Sequence, residues 1–107
     1  MSKVKFHQLI KENLKEILKD KDIKDLFYTI CKNTSEFYND NQVIVCERFT
    51  KRISYITGAG KDRFTSQKKI ELDGRYVVFL QGFEEVPKWE IDILISIFKI
   101  AVEISKK

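Results

Sequence analysis

Residues 87–107 constrain the fold more than any other stretch of this chain. Pro87 suits the first turn of a helix, where its fixed φ is helical and its missing N–H is not needed. Beyond it, Asp92, Ser96, Lys99 and Glu103 recur at i, i+4, i+7 and i+11, a narrow polar stripe at helical period. Nearly everything else is apolar: Trp89, Ile91, Ile93, Leu94, Ile95, Ile97, Phe98, Ile100, Ala101, Val102 and Ile104. A helix on the surface of a monomer shows an apolar face over about a third to a half of its circumference. This one exceeds that. It must lie between two layers of its own domain, or pack on a sheet with one flank and on another chain with the other. A small sheet and two other helices leave little material for the first arrangement, so intermolecular packing is expected.

The rest of the chain is short. Its 107 residues make one domain, with 1–21 an N-terminal amphipathic helix and 22–107 the core. With 43% apolar residues, eight Phe and four Tyr, it carries too much apolar surface to stay solvated, and 34% charged residues fit a soluble surface. A domain of this size buries a limited fraction of its surface, which makes association a useful source of further burial. The net charge of +4 is a mild excess of 20 basic over 16 acidic side chains, short of a dedicated nucleic-acid binder. Cys31 and Cys46 form no CxxC pair, and the single His7 is far from both, so no metal site is expected. Both cysteines lie in apolar patterns and are expected as small buried hydrophobes. The first residues lack the apolar core of a signal peptide, and Asp92, Lys99 and Glu103 interrupt the best membrane-span candidate. A reduced, cytoplasmic protein without membrane attachment is the expectation.

Phe6, Ile10, Leu14, Ile17 and Leu18 recur at helical spacing, with Lys3, Lys5, Lys11, Glu12, Lys15, Glu16 and Lys19 on the other face. Lys-Asp-Lys-Asp at 19–22 breaks this pattern, unless the two segments form one long helix with a polar waist. Asp22 can cap a second helix, with Asp25 three residues on as a weak capping box. Ile23, Leu26, Phe27, Ile30, Cys31, Phe37 and Tyr38 supply its apolar stripe, and Asn39-Asp40-Asn41 ends it. Residues 43–49 and 52–57 read as strands turned by Thr50-Lys51. Residues 69–72 and 75–81 flank Asp73-Gly74, a tight-turn signal in which both turn positions are expected at φ > 0.

No catalytic signature stands out. Gly58-Ala59-Gly60-Lys61 fails as a phosphate loop, because Tyr55 stands where the first Gly is needed and Asp62 where a hydroxyl is needed. No nucleophile has an evident base and no carboxylate pair is set for acid–base work, so an enzyme is not expected and no cofactor is implied. The segment 48–69 is basic, with Arg48, Lys51, Arg52, Lys61, Arg63, Lys68 and Lys69 against Asp62 alone, and Tyr55 and Phe64 lie among them. Such a segment can track a phosphate backbone and stack bases, or it can be the solvated tips of two hairpins, where Lys and Arg protect strand edges.

Two blocks carry a family resemblance. Residues 23–38, running into 43–49 and 52–58, are similar to the opening helix and first two strands of a GAF domain, a sensory and dimerisation module of signalling proteins. Residues 69–83, with 87–104, resemble its closing hairpin and final helix. Only the eleven residues 58–68 stand where a GAF domain usually carries the helices and loops that roof a ligand pocket, so no ligand-binding residue carries over. The resemblance implies terminal helices available for parallel pairing in a homodimer.

The expected fold is therefore α+β, in the order α-α-β-β-β-β-α, with an antiparallel four-stranded sheet packed against helices chiefly on one face. The expected role is that of a non-enzymatic, GAF-like regulatory module that homodimerises and senses a small ligand. Phe6, Ile10 and Leu14 from the first helix, with Ile93, Ile97, Ile100 and Ile104 from the last, are the candidate interface. The alternative is nucleic-acid binding through Arg48, Arg52, Lys61, Arg63 and Lys68. A protein partner or output domain is compatible with a chain that ends on Ser-Lys-Lys straight after the helix.

Overall fold

The chain folds in the order α1 (Lys3–Leu18), α2 (Ile23–Phe37), β1 (Val43–Phe49), β2 (Arg52–Ala59), β3 (Gln67–Glu71), β4 (Tyr76–Gln81) and α3 (Lys88–Ser105). This is a computed structural model that describes residues 3–19 and 21–105. Asp20 of the polar break, the side chains of Lys3 and Val4 and the two residues at each end lie outside the described residues.

The break at 19–22 yields two helices rather than one. They run antiparallel, with Asn33 Nδ2 donating to Asn13 Oδ1 at 3.0 Å in the seam between them. Asp22 does occupy the N-cap position, but its side chain makes no capping hydrogen bond, contrary to the capping-box expectation. At the other end of α2, Asn39 and Asp40 take φ of 58° and 62°. These are among the few side chains that tolerate the left-handed region, so the helix stops there.

The four strands form one antiparallel sheet in the order β2-β1-β4-β3. Thr50-Lys51 joins β1 to β2 as the sequence predicts, with Thr50 at φ 49°. The register shifts between Val45 and Cys46, which pair with Thr57 and Tyr55. Ile56 is thus an extra residue, a bulge. The turn between β3 and β4 departs from expectation, because neither Asp73 nor Gly74 has positive φ. The Asp73 carboxylate holds it instead, accepting from the amides of Arg75 (2.7 Å) and Tyr76 (2.9 Å), while the Leu72 amide donates to the Tyr76 carbonyl. A side chain that mimics a backbone turn removes the need for φ > 0.

One face of the sheet carries the core. Val43 and Val45 of β1 and Tyr76, Val78 and Leu80 of β4 pack with Phe27 and Ile30 of α2 and Ile91, Ile95 and Phe98 of α3. Cys31 is completely buried in this cluster. On the opposite face Val77 is fully buried without a helix above it. The register places it beneath the ion pair by which Arg48 on β1 reaches Glu71 on β3.

α3 finds its second layer within the chain. Phe6 and Leu9 of α1 form a cluster with Leu94, and Phe6 meets the Trp89 ring edge-on with centroids 5.5 Å apart. The helix therefore packs on the sheet with one flank and under α1 with another. The expectation that a partner chain must supply the second layer does not hold for most of its apolar surface.

Because β2 and β3 are opposite edges, residues 60–66 must cross β1 and β4 to join them. Gly60 starts this strap at φ 99°, where an added Cβ would come 2.4 Å from the Asn41 carbonyl oxygen and 2.5 Å from Ser35 Oγ. Asn41 anchors it, donating from Nδ2 to the Gly82 carbonyl and accepting at Oδ1 from Arg63 Nε. Buried Gln81 donates to the Thr65 carbonyl and accepts from the Arg63 amide.

Candidate interaction surface

α1 and α3 run in the same direction. Phe6 near the start of α1 touches Trp89 near the start of α3, and Ile17 near the end of α1 lines one cleft with Ile104 near the end of α3. The side of α1 that carries Asn13 meets α2. Helical spacing then places Leu14 and Leu18 on the other flank, bordering α3. On α3, Ile93, Ile97, Ile100 and Ile104 recur at four, three and four residues, which keeps them on one side of the helix.

These candidates divide by burial. Phe6 and Ile97 are 4% and 3% exposed and belong to the chain's own core, so they offer no surface to a partner. Ile10 is partly buried and packs against both core clusters. Leu14, Ile93, Ile100 and Ile104 are 37–45% exposed, and Leu18, which the sequence reading placed in the helix core stripe, is 83% exposed. Trp89 extends the same side of α3 at 51%. The result is an apolar strip along two parallel helices, with no described element over it. Adjacency to Ile17 alone could not have singled out Leu18, since both members of neighbouring pairs such as Leu26 and Phe27, or Ile97 and Phe98, are buried where a helix is covered on two sides.

The basic candidates are not gathered. Arg48 is ion-paired to Glu71 on the open sheet face. Arg63 is spent on the strap, donating to the Asn39 carbonyl as well as to Asn41. Arg52 is exposed at the β1–β2 turn and Lys61 at the start of the strap. Lys68 pairs with Leu80 in the ladder and so stands on the helix-bearing face. The aromatics between them are exposed, Tyr55 on edge strand β2 and Phe64 on the strap.

The titratable groups tell of structure rather than chemistry. Burial pushes both thiols up, Cys31 far up and Cys46 less, which keeps them protonated and unreactive. Burial also raises the Tyr38 hydroxyl, reinforced by its 2.7 Å hydrogen bond to Glu90. Hydrogen bonds from Lys21 and Lys19 hold the Glu16 carboxyl below the usual range. Among the described residues no group of three or more His, Cys, Asp or Glu is placed to hold a metal ion. No helix among them is long and apolar enough to cross a membrane. Compared with known proteins, the chain matches no family model, no curated protein and no solved structure.

Proposed function

We propose that this protein is a non-enzymatic regulatory module of GAF-like type, and that it works as a homodimer joined through the outer strip of α1 and α3. One observation carries this: Leu14, Leu18, Ile93, Ile100 and Ile104 are exposed apolar side chains on two helices that run side by side in the same direction. A second copy related by a two-fold axis would lay the same strip against it, giving a four-helix contact of self-complementary spacing. A strip of this kind on a small domain is an association surface or a solubility liability, and pairing resolves it. The same observation supports dimerisation and not small-ligand sensing, since the space between sheet and helices is filled by Phe27, Ile30, Val45, Val78 and Phe98.

Sedimentation equilibrium tests the reading directly. The unmodified chain is expected to be a dimer at micromolar concentration. Leu18→Glu with Ile100→Asp, both exposed positions, should weaken association by about 100-fold or more while the circular dichroism spectrum is retained. A folded monomer for the unmodified chain, or a double variant that still pairs, would defeat the proposal. Ile97→Asp is the wrong probe, because it puts a charge into the core and should unfold the domain.

A further inference from the structure

The two edges of the sheet differ. β2 carries the bulge at Ile56, which twists an edge away from pairing, whereas β3 runs unbulged and pairs with β4 alone. The Leu72 amide donates to the Tyr76 carbonyl, so Leu72, Ile70 and Lys68 turn their main-chain groups towards β4. The Gln81 amide, turned the other way to the Gln42 carbonyl, fixes the same alternation. The N–H and C=O groups of Gln67, Lys69 and Glu71 therefore point outward along the free edge. On the helix-bearing face α3 runs alongside this edge: Lys68 shares a cleft with Lys88 and Ile91, and Ile70 shares the next with Ile95, Ser96 and Lys99. The charges of edge and helix balance, with Lys68, Lys69, Lys88 and Lys99 against Glu71, Glu84, Asp92 and Glu103. Such a surface favours neither a polyanion nor a polycation, but it can be complementary to itself.

We propose that β3 pairs antiparallel with β3 of a second copy about a two-fold axis beside Ile70, joining two four-stranded sheets into one. Two registers let the outward groups bond while both copies keep their helices on one side of the joint sheet. Centring on Lys69 sets the two Lys69 side chains against each other, a like-charge contact. Centring on Ile70 sets Ile70 against Ile70 and each Lys69 against Glu71 of the other copy, and those outward-facing pairs exchange main-chain hydrogen bonds. Arg48 engages Glu71 through Oε2, which leaves Oε1 for the lysine. The same axis passes beside Ile95 and Ser96 and reverses α3 against its copy. Lys88 then comes opposite Glu103, and Asp92 opposite Lys99, so the polar stripe is also its own complement. The contact is small, and its Kd is on the order of 0.1–1 mM. At micromolar concentration only the strip contact forms. The two lie on different flanks of α3, and neither requires the other.

Disulfide trapping tests the register. Cys31 and Cys46 are buried with their thiols held protonated, so oxidation reports an introduced cysteine. With diamide at about 0.5 mM chain, Ile70→Cys is expected to cross-link at least about tenfold faster than Lys69→Cys, because the opposed Cα atoms of the central pair lie about 4.5 Å apart. Pairing centred on Lys69 would reverse that order. Sedimentation tests the charges. Lys69→Glu and Glu71→Lys should each self-associate at least about tenfold more weakly than the unmodified edge, and an equimolar mixture of the two should restore association. If Glu71→Lys fails to fold without its Arg48 pair, Asp92→Lys mixed with Lys99→Asp makes the same comparison at exposed helix positions. Making each measurement in the chain that also carries Leu18→Glu and Ile100→Asp removes the strip contact, so the two readings fail separately. The proposal is overturned if Ile70→Cys does not cross-link, if Lys69→Cys cross-links as fast, or if the mixtures associate no better than their components.

Discussion

Asp73 and Gly74 divide the work of a turn in an unexpected way. Gly74 has ordinary φ, and a Cβ added to it would meet nothing within 4 Å. Asp73 takes two amide hydrogen bonds on one carboxylate oxygen. Urea denaturation should therefore find Gly74→Ala neutral or slightly stabilising, whereas Asp73→Ala should cost about 1–2 kcal/mol. The dipeptide announced the hairpin correctly, since Asp and Gly favour turns of several kinds. It did not announce which kind, because the choice depends on whether the Asp side chain or the glycine backbone closes the loop. Gly60 is the reverse case: its freedom is needed, but the need arises from Asn41 and Ser35, distant in sequence. No local pattern reports such a contact.

At the level of elements, most of the order was legible because periodicity is local. The apolar stripes of α1 and α2, the β-branched runs of β1 and β4, and the polar stripe of α3 all survive, and Asp92, Ser96, Lys99 and Glu103 face solvent. What the pattern could not show is which layer covers which flank. The apolar excess of α3 was real, but α1 folds back alongside it and absorbs Leu94, and Ile97 is taken into the main core, leaving only the outer strip. That return depends on the corner between α1 and α2. There Glu16 accepts from Lys19 at 3.0 Å and Lys21 at 2.5 Å, and Lys21 also donates to Thr29 on α2. Because the folded Glu16 carboxyl is held below its ordinary value, its contribution is complete above the usual carboxylate range. It disappears as pH falls through the lowered value. Glu16→Gln should thus lose up to about 1 kcal/mol of unfolding free energy at neutral pH, and the gap to the unmodified chain should close in acid. A gap that stays constant with pH would mean that packing, not charge, holds the corner.

For the molecule as a whole, the sheet order separates three surfaces. The outer strip of α1 and α3, the free edge of β3, and the open sheet face with Tyr55 are distinct surfaces of one domain. The basic residues adjacent in sequence between 48 and 69 are scattered over these sides, because β2 and β3 are carried to opposite edges by the strap. Proximity along the chain was a poor guide to a shared surface for that reason. The apolar candidates fared better, since helical spacing maps directly onto a face, yet it cannot tell an inward flank from an outward one, as Phe6 and Ile97 show. The interior offers one further use. Cys31 has no exposed surface and its thiol is held protonated by burial, whereas Cys46 sits on the sheet face that no helix covers. The two thiols are therefore clocks of different events. Alkylation of Cys46 should follow local opening and depend little on denaturant, while alkylation of Cys31 should proceed only through global unfolding, accelerating with urea along the full unfolding slope. Mass spectrometry of the two peptides would separate the two rates, and equal rates would show that the core opens no less readily than the sheet surface.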